Sequence, residues 1–189
     1  MTKLRSFFIL SLTILISCGL LYAGDLDPQY HSKEEVSFKI PIGRSSSYSN
    51  ILVKRVVDGD TILLENGERV RLIGIDTPEI HDSGKLLRDS KRSQQSTSEI
   101  KAMGRRSYEF TKKLAAGKMV SLEFDVERYD KYKRLLAYVY LKDGTFVNAE
   151  IVKEGYASLM TYPPNVKYAD LFLKLYREAR ENKRGLWKD

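Results

Sequence analysis

Apolar and polar residues alternate along this chain in several different rhythms, and each rhythm predicts a different kind of element. Phe7 to Ile16 is an apolar run, whereas residues 25–50 show little sustained periodicity and include Pro41 and Ser45-Ser46-Ser47. From Ile51 onward come short β-branched runs, Ile51–Val57, Thr61–Leu64 and Arg69–Ile75, separated by Asp-Gly and Asn-Gly pairs. Such pairs favour the tight turns of hairpins, so the three runs predict an antiparallel meander, with Asn66-Gly67 as its clearest turn.

The stretch Asp82–Ser98 is polar, carries Lys85, Arg88, Lys91 and Arg92 among serines and glutamines, and predicts a loop. Ile100, Met103, Ser107, Phe110 and Leu114 then recur at helical spacing as far as Gly117, the buried stripe of an amphipathic helix. Val120, Leu122, Phe124 and Val126 alternate, as do Leu135, Ala137, Val139 and Leu141, which predicts two further strands. Val147–Glu154, closed by Gly155, reads as a short helix, and Tyr168, Leu171, Phe172, Leu175, Tyr176 and Ala179 mark a longer one. No repeat of solenoid period is present. The pattern alone supports an α+β domain, mainly β, and its order of elements fits an OB-type barrel of five strands with three helices.

Composition narrows the partners. The 189 residues suffice for one globular domain, expected over residues 51–189, plus a tail. Their 32 Lys and Arg against 25 Asp and Glu give a formal charge of +7, which favours acidic partners such as nucleic acid or an anionic surface. Residues 1–23 have the basic start, apolar centre and small-residue end of an export signal, and their removal takes away Lys3 and Arg5 and no acid, leaving +5. Two processing schemes fit. Leu21-Tyr22-Ala23 before Gly24 suits a signal peptidase, whereas Leu15-Ile16-Ser17-Cys18 resembles the lipobox of bacterial lipoproteins, with residues 24–50 as a polar linker or tether. Cys18 is the one cysteine, so no intramolecular disulfide forms. Either scheme predicts an exported protein, secreted, periplasmic or membrane-anchored.

Chemistry concentrates in Asp58-Gly59-Asp60-Thr61, Arg71, Asp76-Thr77-Pro78-Glu79 and Asp130-Lys131-Tyr132-Lys133-Arg134. A hard cation takes several oxygen ligands, which carboxylates and a backbone carbonyl supply, so Asp60 and Asp76 are candidate ligands. Arg71 and Arg134 are candidates to stabilise charge on a phosphoryl oxygen, because a guanidinium does not titrate away. Glu79 can orient a water or take its proton. Tyr162, before Pro163-Pro164-Asn165, suits stacking on a base. Blander roles compete: Asp58-Gly59 makes turns, Thr77-Pro78-Glu79 starts helices, and Arg71 between Val70 and Leu72 can face water. The two histidines, His31 and His81, lie outside the motifs.

These residues in this order, with the ending Arg184-Gly185-Leu186-Trp187, resemble the staphylococcal nuclease (thermonuclease) family over roughly Ile51 to Trp187. The resemblance implies an OB-fold and a Ca2+ ion held by Asp60, Asp76 and the carbonyl of Thr77. It also implies charge stabilisation by Arg71 and Arg134, a water-orienting Glu79, and contacts from Lys131 and Tyr132 to a terminal phosphate. The implied reaction is hydrolysis of DNA and RNA at the 5′ oxygen, leaving 3′-phosphate ends; a monomer is expected, with no protein partner. Three departures stand out: the family's glycine before the second arginine is Lys133 here, two tyrosines are reduced to Tyr162, and the segment 82–98 is longer. The alternative is an OB-type module that binds single-stranded nucleic acid without cutting it; a lipoprotein domain that binds a protein partner is a third reading.

Overall fold

A computed structural model describes residues 48–188; the expected export signal, Cys18, His31 and the linker as far as residue 47 lie outside the described residues. The described chain runs β1 (Ile51–Asp58), β2 (Thr61–Leu64), β3 (Arg69–Leu72), β4 (Gly74–Asp76), α1 (Gly84–Ser93), α2 (Thr97–Ala115), β5 (Met119–Glu123), β6 (Leu135–Leu141), α3 (Val147–Lys153), β7 (Ser158–Met160) and α4 (Ala169–Glu181), with a 3-10 turn at Gly185–Trp187. No helix among the described residues is long and apolar enough to cross a membrane.

The expected meander forms, with Ile62 opposite both Val56 and Val70. Five strands close into a barrel in the order β1-β2-β3-β6-β5. Closure uses one parallel pair, Val70 to Leu72 beside Leu135 to Ala137, and a short antiparallel seam between Ile51-Leu52 and Met119-Val120. Inward positions follow the period of two except across a register shift between Val53 and Val56: Val53, Val56, Ile62, Leu64, Val70, Leu72, Val120, Leu122, Leu135, Ala137 and Val139 are each at most 3 % exposed. Each fully buried Val or Leu among them stabilises the barrel by about 1.5–3 kcal/mol. This is the α+β, OB-type barrel expected.

Four local expectations are corrected. The run Arg69–Ile75 is two strands, because the chain leaves the barrel at Ile73 and β4 pairs instead with β7, Gly74 opposite Met160 and Asp76 opposite Ser158. Asn148, fully buried on α3, occupies the break: its Oδ1 accepts from Val139 N (3.0 Å) and its Nδ2 donates to the carbonyls of Ile73 (3.0 Å) and Ala137 (3.4 Å). The segment 82–98 is largely helical, so the described residues form four helices rather than three. Ser83 caps α1 by accepting from Leu86 N, and Leu86 is its one fully buried residue, which leaves no apolar stripe to betray the helix. Strand β5 stops at Glu123, and Val126 is 71 % exposed. On α2 the buried line is Ile100, Gly104, Ser107, Thr111 and Ala115, with Met103, Phe110 and Leu114 half-buried beside it. Small and hydroxyl residues face inward there because the helix lies close against backbone.

Candidate active site

The turn between β1 and β2 brings Asp58 and Asp60 to one end of the barrel, and two contacts hold it there. Thr111 Oγ1 on α2 donates to the Gly59 carbonyl (2.7 Å). A side chain at Gly59 would come within 2.7 Å of Thr77, so only glycine lets the β4 end approach this turn. Asp60, 5 % exposed, then accepts from Thr77 N (2.9 Å) and Thr77 Oγ1 (3.1 Å) through Oδ2, and from Thr61 Oγ1 (3.1 Å) through Oδ1.

Arg71 leaves the barrel's outer face, and that face is covered rather than wet. Its side chain is 12 % exposed, with Nη1 2.8 Å from Asp60 Oδ2 and Nη2 3.0 Å from Asp76 Oδ1. Nη1 also reaches the Leu72 carbonyl (3.4 Å) and Nη2 the Met160 sulfur (3.8 Å). The cost of burying a guanidinium is thus met by two carboxylates. Burial disfavours charge on Asp60, but Arg71 and the hydrogen bonds around it hold its carboxyl below the usual range. Asp58 lies beside it without an arginine of its own; burial first, then the charge of Asp60, push it up to about 7. Asp76 is raised as well, by burial against the pull of Lys85 and with a push from Asp60.

Glu79 is brought alongside by a helix-to-loop contact. A side chain at Gly104 of α2 would lie 2.6 Å from the carbonyls of Pro78 and Glu79, so the loop rests on bare helix backbone. The carboxylate of Glu79, 28 % exposed, meets Lys85 from the first turn of α1, Nζ to Oε1 3.1 Å. The same Nζ lies 3.0 Å from Asp76 Oδ1 and 3.2 Å from the Thr77 carbonyl oxygen. Burial works against the ammonium, but the carboxylates of Asp76 and Glu79 outweigh it and raise its pKa. His81 is exposed.

The second half of the site is a turn between β5 and β6. Asp130 organises it: Oδ1 accepts from Tyr132 N (2.9 Å) and Arg134 N (3.0 Å), and Oδ2 from Arg134 Nε (2.7 Å). Lys133 adopts φ +61°, so the turn keeps a glycine-like geometry with a lysine in it. Arg134 Nη1 comes within 3.5 Å of Thr61 Oγ1, which links it through Asp60 to Arg71. Tyr132 is 68 % exposed, flanked by Lys131 and Arg134 over its ring at 5.1 and 5.5 Å. Tyr162, 70 % exposed, stands across the same cleft on a segment that buried Asn165 ties to Glu127, by bonds to its backbone N–H (2.8 Å) and carbonyl (2.9 Å). The cleft measures about 560 Å³ and is lined by Arg71, Asp130, Lys131, Tyr132, Arg134 and Tyr162 among others.

Of the nine anticipated residues, Arg71, Lys131, Tyr132, Arg134 and Tyr162 line this cleft; Asp60 and Asp76 join it through their ion pairs to Arg71, Thr77 bonds to Asp60, and Glu79 meets Asp76 through Lys85. Sequence reasoning missed Asp58 as more than a turn former, and it missed Lys85, Gly104 and Asn165. The Ser96-to-Glu99 capping box that starts α2 is readable in the chain and would have shortened the expected loop; nothing local marks Asn165.

Among the described residues no three acidic, histidine or cysteine side chains converge as a ready metal cluster. Two of the three anticipated donors, Asp76 and the Thr77 carbonyl, converge with Glu79 on a cation, Lys85 Nζ, while the third, Asp60, is turned to Arg71 and Thr77. Hard, anionic and carbonyl oxygen donors of this kind fit Ca2+.

Comparison with known proteins agrees with the geometry. The model of a family described as staphylococcal nuclease homologue matches residues 69–189. The thermonuclease of Staphylococcus intermedius is 41 % identical over 147 residues, 76 % of this chain and 77 % of that protein. That of Staphylococcus hyicus is 33 % identical over 138 residues, 71 % of this chain and 73 % of that one. Endonuclease YncB of Bacillus subtilis is 36 % identical over 143 residues, 73 % of this chain and 61 % of that protein.

Proposed function

Because the chain belongs to the staphylococcal nuclease family, we propose that it is a Ca2+-dependent nuclease that hydrolyses DNA and RNA at the 5′ oxygen and leaves 3′-phosphate ends. The observation that carries this proposal is the buried lattice Asp60–Arg71–Asp76, with contacts of 2.8 and 3.0 Å, opening into a cleft rimmed by Arg134, Tyr132 and Tyr162. Two carboxylates clamping a buried arginine that lines the cleft favour a catalytic centre over a surface that only binds nucleic acid.

Asp60, Asp76 and the Thr77 carbonyl would hold the ion, which when bound supplies a Lewis acid for a phosphoryl oxygen. Arg71, fixed by its carboxylates, and Arg134, fixed by Asp130, present guanidinium charge where the phosphoryl oxygens become more negative. Glu79 orients the water that attacks in line with the departing 5′ oxygen and receives its proton. Lys131 and Tyr132 bind a terminal phosphate, and Tyr162 stacks on a base without reading its identity.

The test is cleavage of single-stranded and duplex DNA and of RNA by the purified protein, with Ca2+ and with EGTA, beside Glu79→Ala. Cutting that requires Ca2+, falls by orders of magnitude in the variant and yields 3′-phosphate ends is the expected result. Tight binding without cutting under any divalent cation would leave a non-catalytic binding module instead. We further propose export and monomeric action, with either a free mature protein or one anchored through lipidated Cys18; membrane fractionation of wild type against Cys18→Ser separates the two.

A further inference from the structure

Lys85 stands in a polar, basic stretch that in sequence resembles a solvated loop, yet its ammonium is turned inward. It lies 3.0 Å from Asp76 Oδ1, 3.1 Å from Glu79 Oε1 and 3.2 Å from the Thr77 carbonyl oxygen. Three oxygens from three successive functional positions thus surround one cation. The placement is specific to this lysine. Buried Leu86 docks α1 and sets its rotation, while Arg88, Lys91 and Arg92 on the same helix remain at or near the surface and make no such contact. The location also opposes local helix electrostatics. Lys85 is in the first turn of α1, where positive charge is disfavoured and where the helix carries no acidic residue to offset it. Its compensation comes from Asp76 and Glu79, outside the helix.

We propose that Lys85 is a positioning residue that doubles as an internal competitor for the divalent cation. In the metal-free protein its ammonium holds Asp76, Thr77 and Glu79 in one cluster and offsets their mutual repulsion. A hard cation that takes Asp76 and the Thr77 carbonyl needs the same oxygens, so the ammonium withdraws as the ion enters. Apparent affinity is then the intrinsic affinity multiplied by the fraction of molecules with Lys85 withdrawn. The Ca2+ concentration at which the site fills is therefore set by this side chain. The inference rests on the metal-assisted reading of the site.

Calorimetric titration of the full chain with Ca2+, together with the Ca2+-induced rise in Tm, tests it in wild type and Lys85→Met. The variant should bind Ca2+ about tenfold or more tightly and show the larger rise in Tm. Equal or weaker binding in Lys85→Met overturns the competition while leaving the metal-assisted nuclease standing. Absence of Ca2+ binding from both proteins overturns the two together. Binding only in the variant supports the competition in its strongest form. Should Lys85→Met fail to fold, acylation of Lys85 by an amine-reactive ester, followed by mass spectrometry, decides the matter in wild type. Labelling that climbs severalfold at saturating Ca2+ supports withdrawal of the side chain, and labelling that stays level overturns it.

Discussion

The two halves of the cleft hold their arginines in opposite ways. Arg71 rises from a barrel strand, is 12 % exposed, and is clamped between the carboxylates of Asp60 and Asp76. Arg134 ends a turn, is 26 % exposed, and has one carboxylate, Asp130, which also shapes the turn. Around Arg71 lie the two carboxylates, the Leu72 carbonyl and the Met160 sulfur; around Arg134 lie the exposed rings of Tyr132 and Tyr162 and the exposed Lys131 and Lys133. The buried half holds its charge by ion pairs within the protein, and the exposed half presents rings and ammonium groups to solvent. Preorganised charge suits a transition state, and adaptable surface suits a polymer of varied sequence.

Arg71→Ala should break the buried half most severely. Turnover falls by about 100- to 1000-fold. Stability without metal falls by about 3 kcal/mol or more, because Asp60 and Asp76 lose their shared partner; denaturant melts with EGTA and with Ca2+ check this, with Ca2+ restoring part of the loss. Arg134→Ala should cost a comparable factor in turnover but less than about 1 kcal/mol of stability. If both variants lose stability equally, the contrast between the halves is wrong.

Smaller effects belong to the exposed half. Tyr162→Ala should weaken binding of a single-stranded oligonucleotide by about 1–3 kcal/mol, seen in KM and in direct titration, with an unchanged melting curve. Lys133→Gly should raise stability by up to about 1 kcal/mol, since a side chain at positive φ is removed. It should also flatten the salt dependence of binding by about one unit of slope if the lysine meets a phosphate. The smallest effect is that of Asp130 on acid stability. Burial pushes its carboxyl up, but the hydrogen bonds from the backbone and side chain of Arg134, with the arginine's charge, together outweigh this and hold it below the ordinary aspartate range. A depressed carboxylate pKa adds stability above the unfolded value that is lost as pH falls through the folded one. The stability gap between wild type and Asp130→Asn should accordingly stay level at neutral pH and close only below about pH 4.

Much of this was readable from the chain. Strand runs with their Asn-Gly and Asp-Gly turns, the inward period of two, and the helices around Ile100–Leu114 and Phe172–Ala179 were all legible, because their apolar spacing is local and strong. Helix α1 was not, since one buried leucine makes no period. Strand β7 was not either, since three residues carry no pattern and their pairing partner, β4, lies 82 positions away at the Asp76–Ser158 contact.

In the site, the order of Asp60, Arg71, Asp76, Glu79 and Arg134 already named the kind of chemistry. Residue type limits which groups can ligate a hard cation or stay charged beside a phosphate, and the chain shows residue type directly. Its order could not tell whether Arg71 faced water or carboxylates, nor that Lys85 reaches the oxygens proposed for a metal, nor that Gly104 and Gly59 are where backbones touch. Those depend on distances between segments far apart in sequence, set when barrel closure and the packing of α1 and α2 bring charged groups into a place with too little water to screen them.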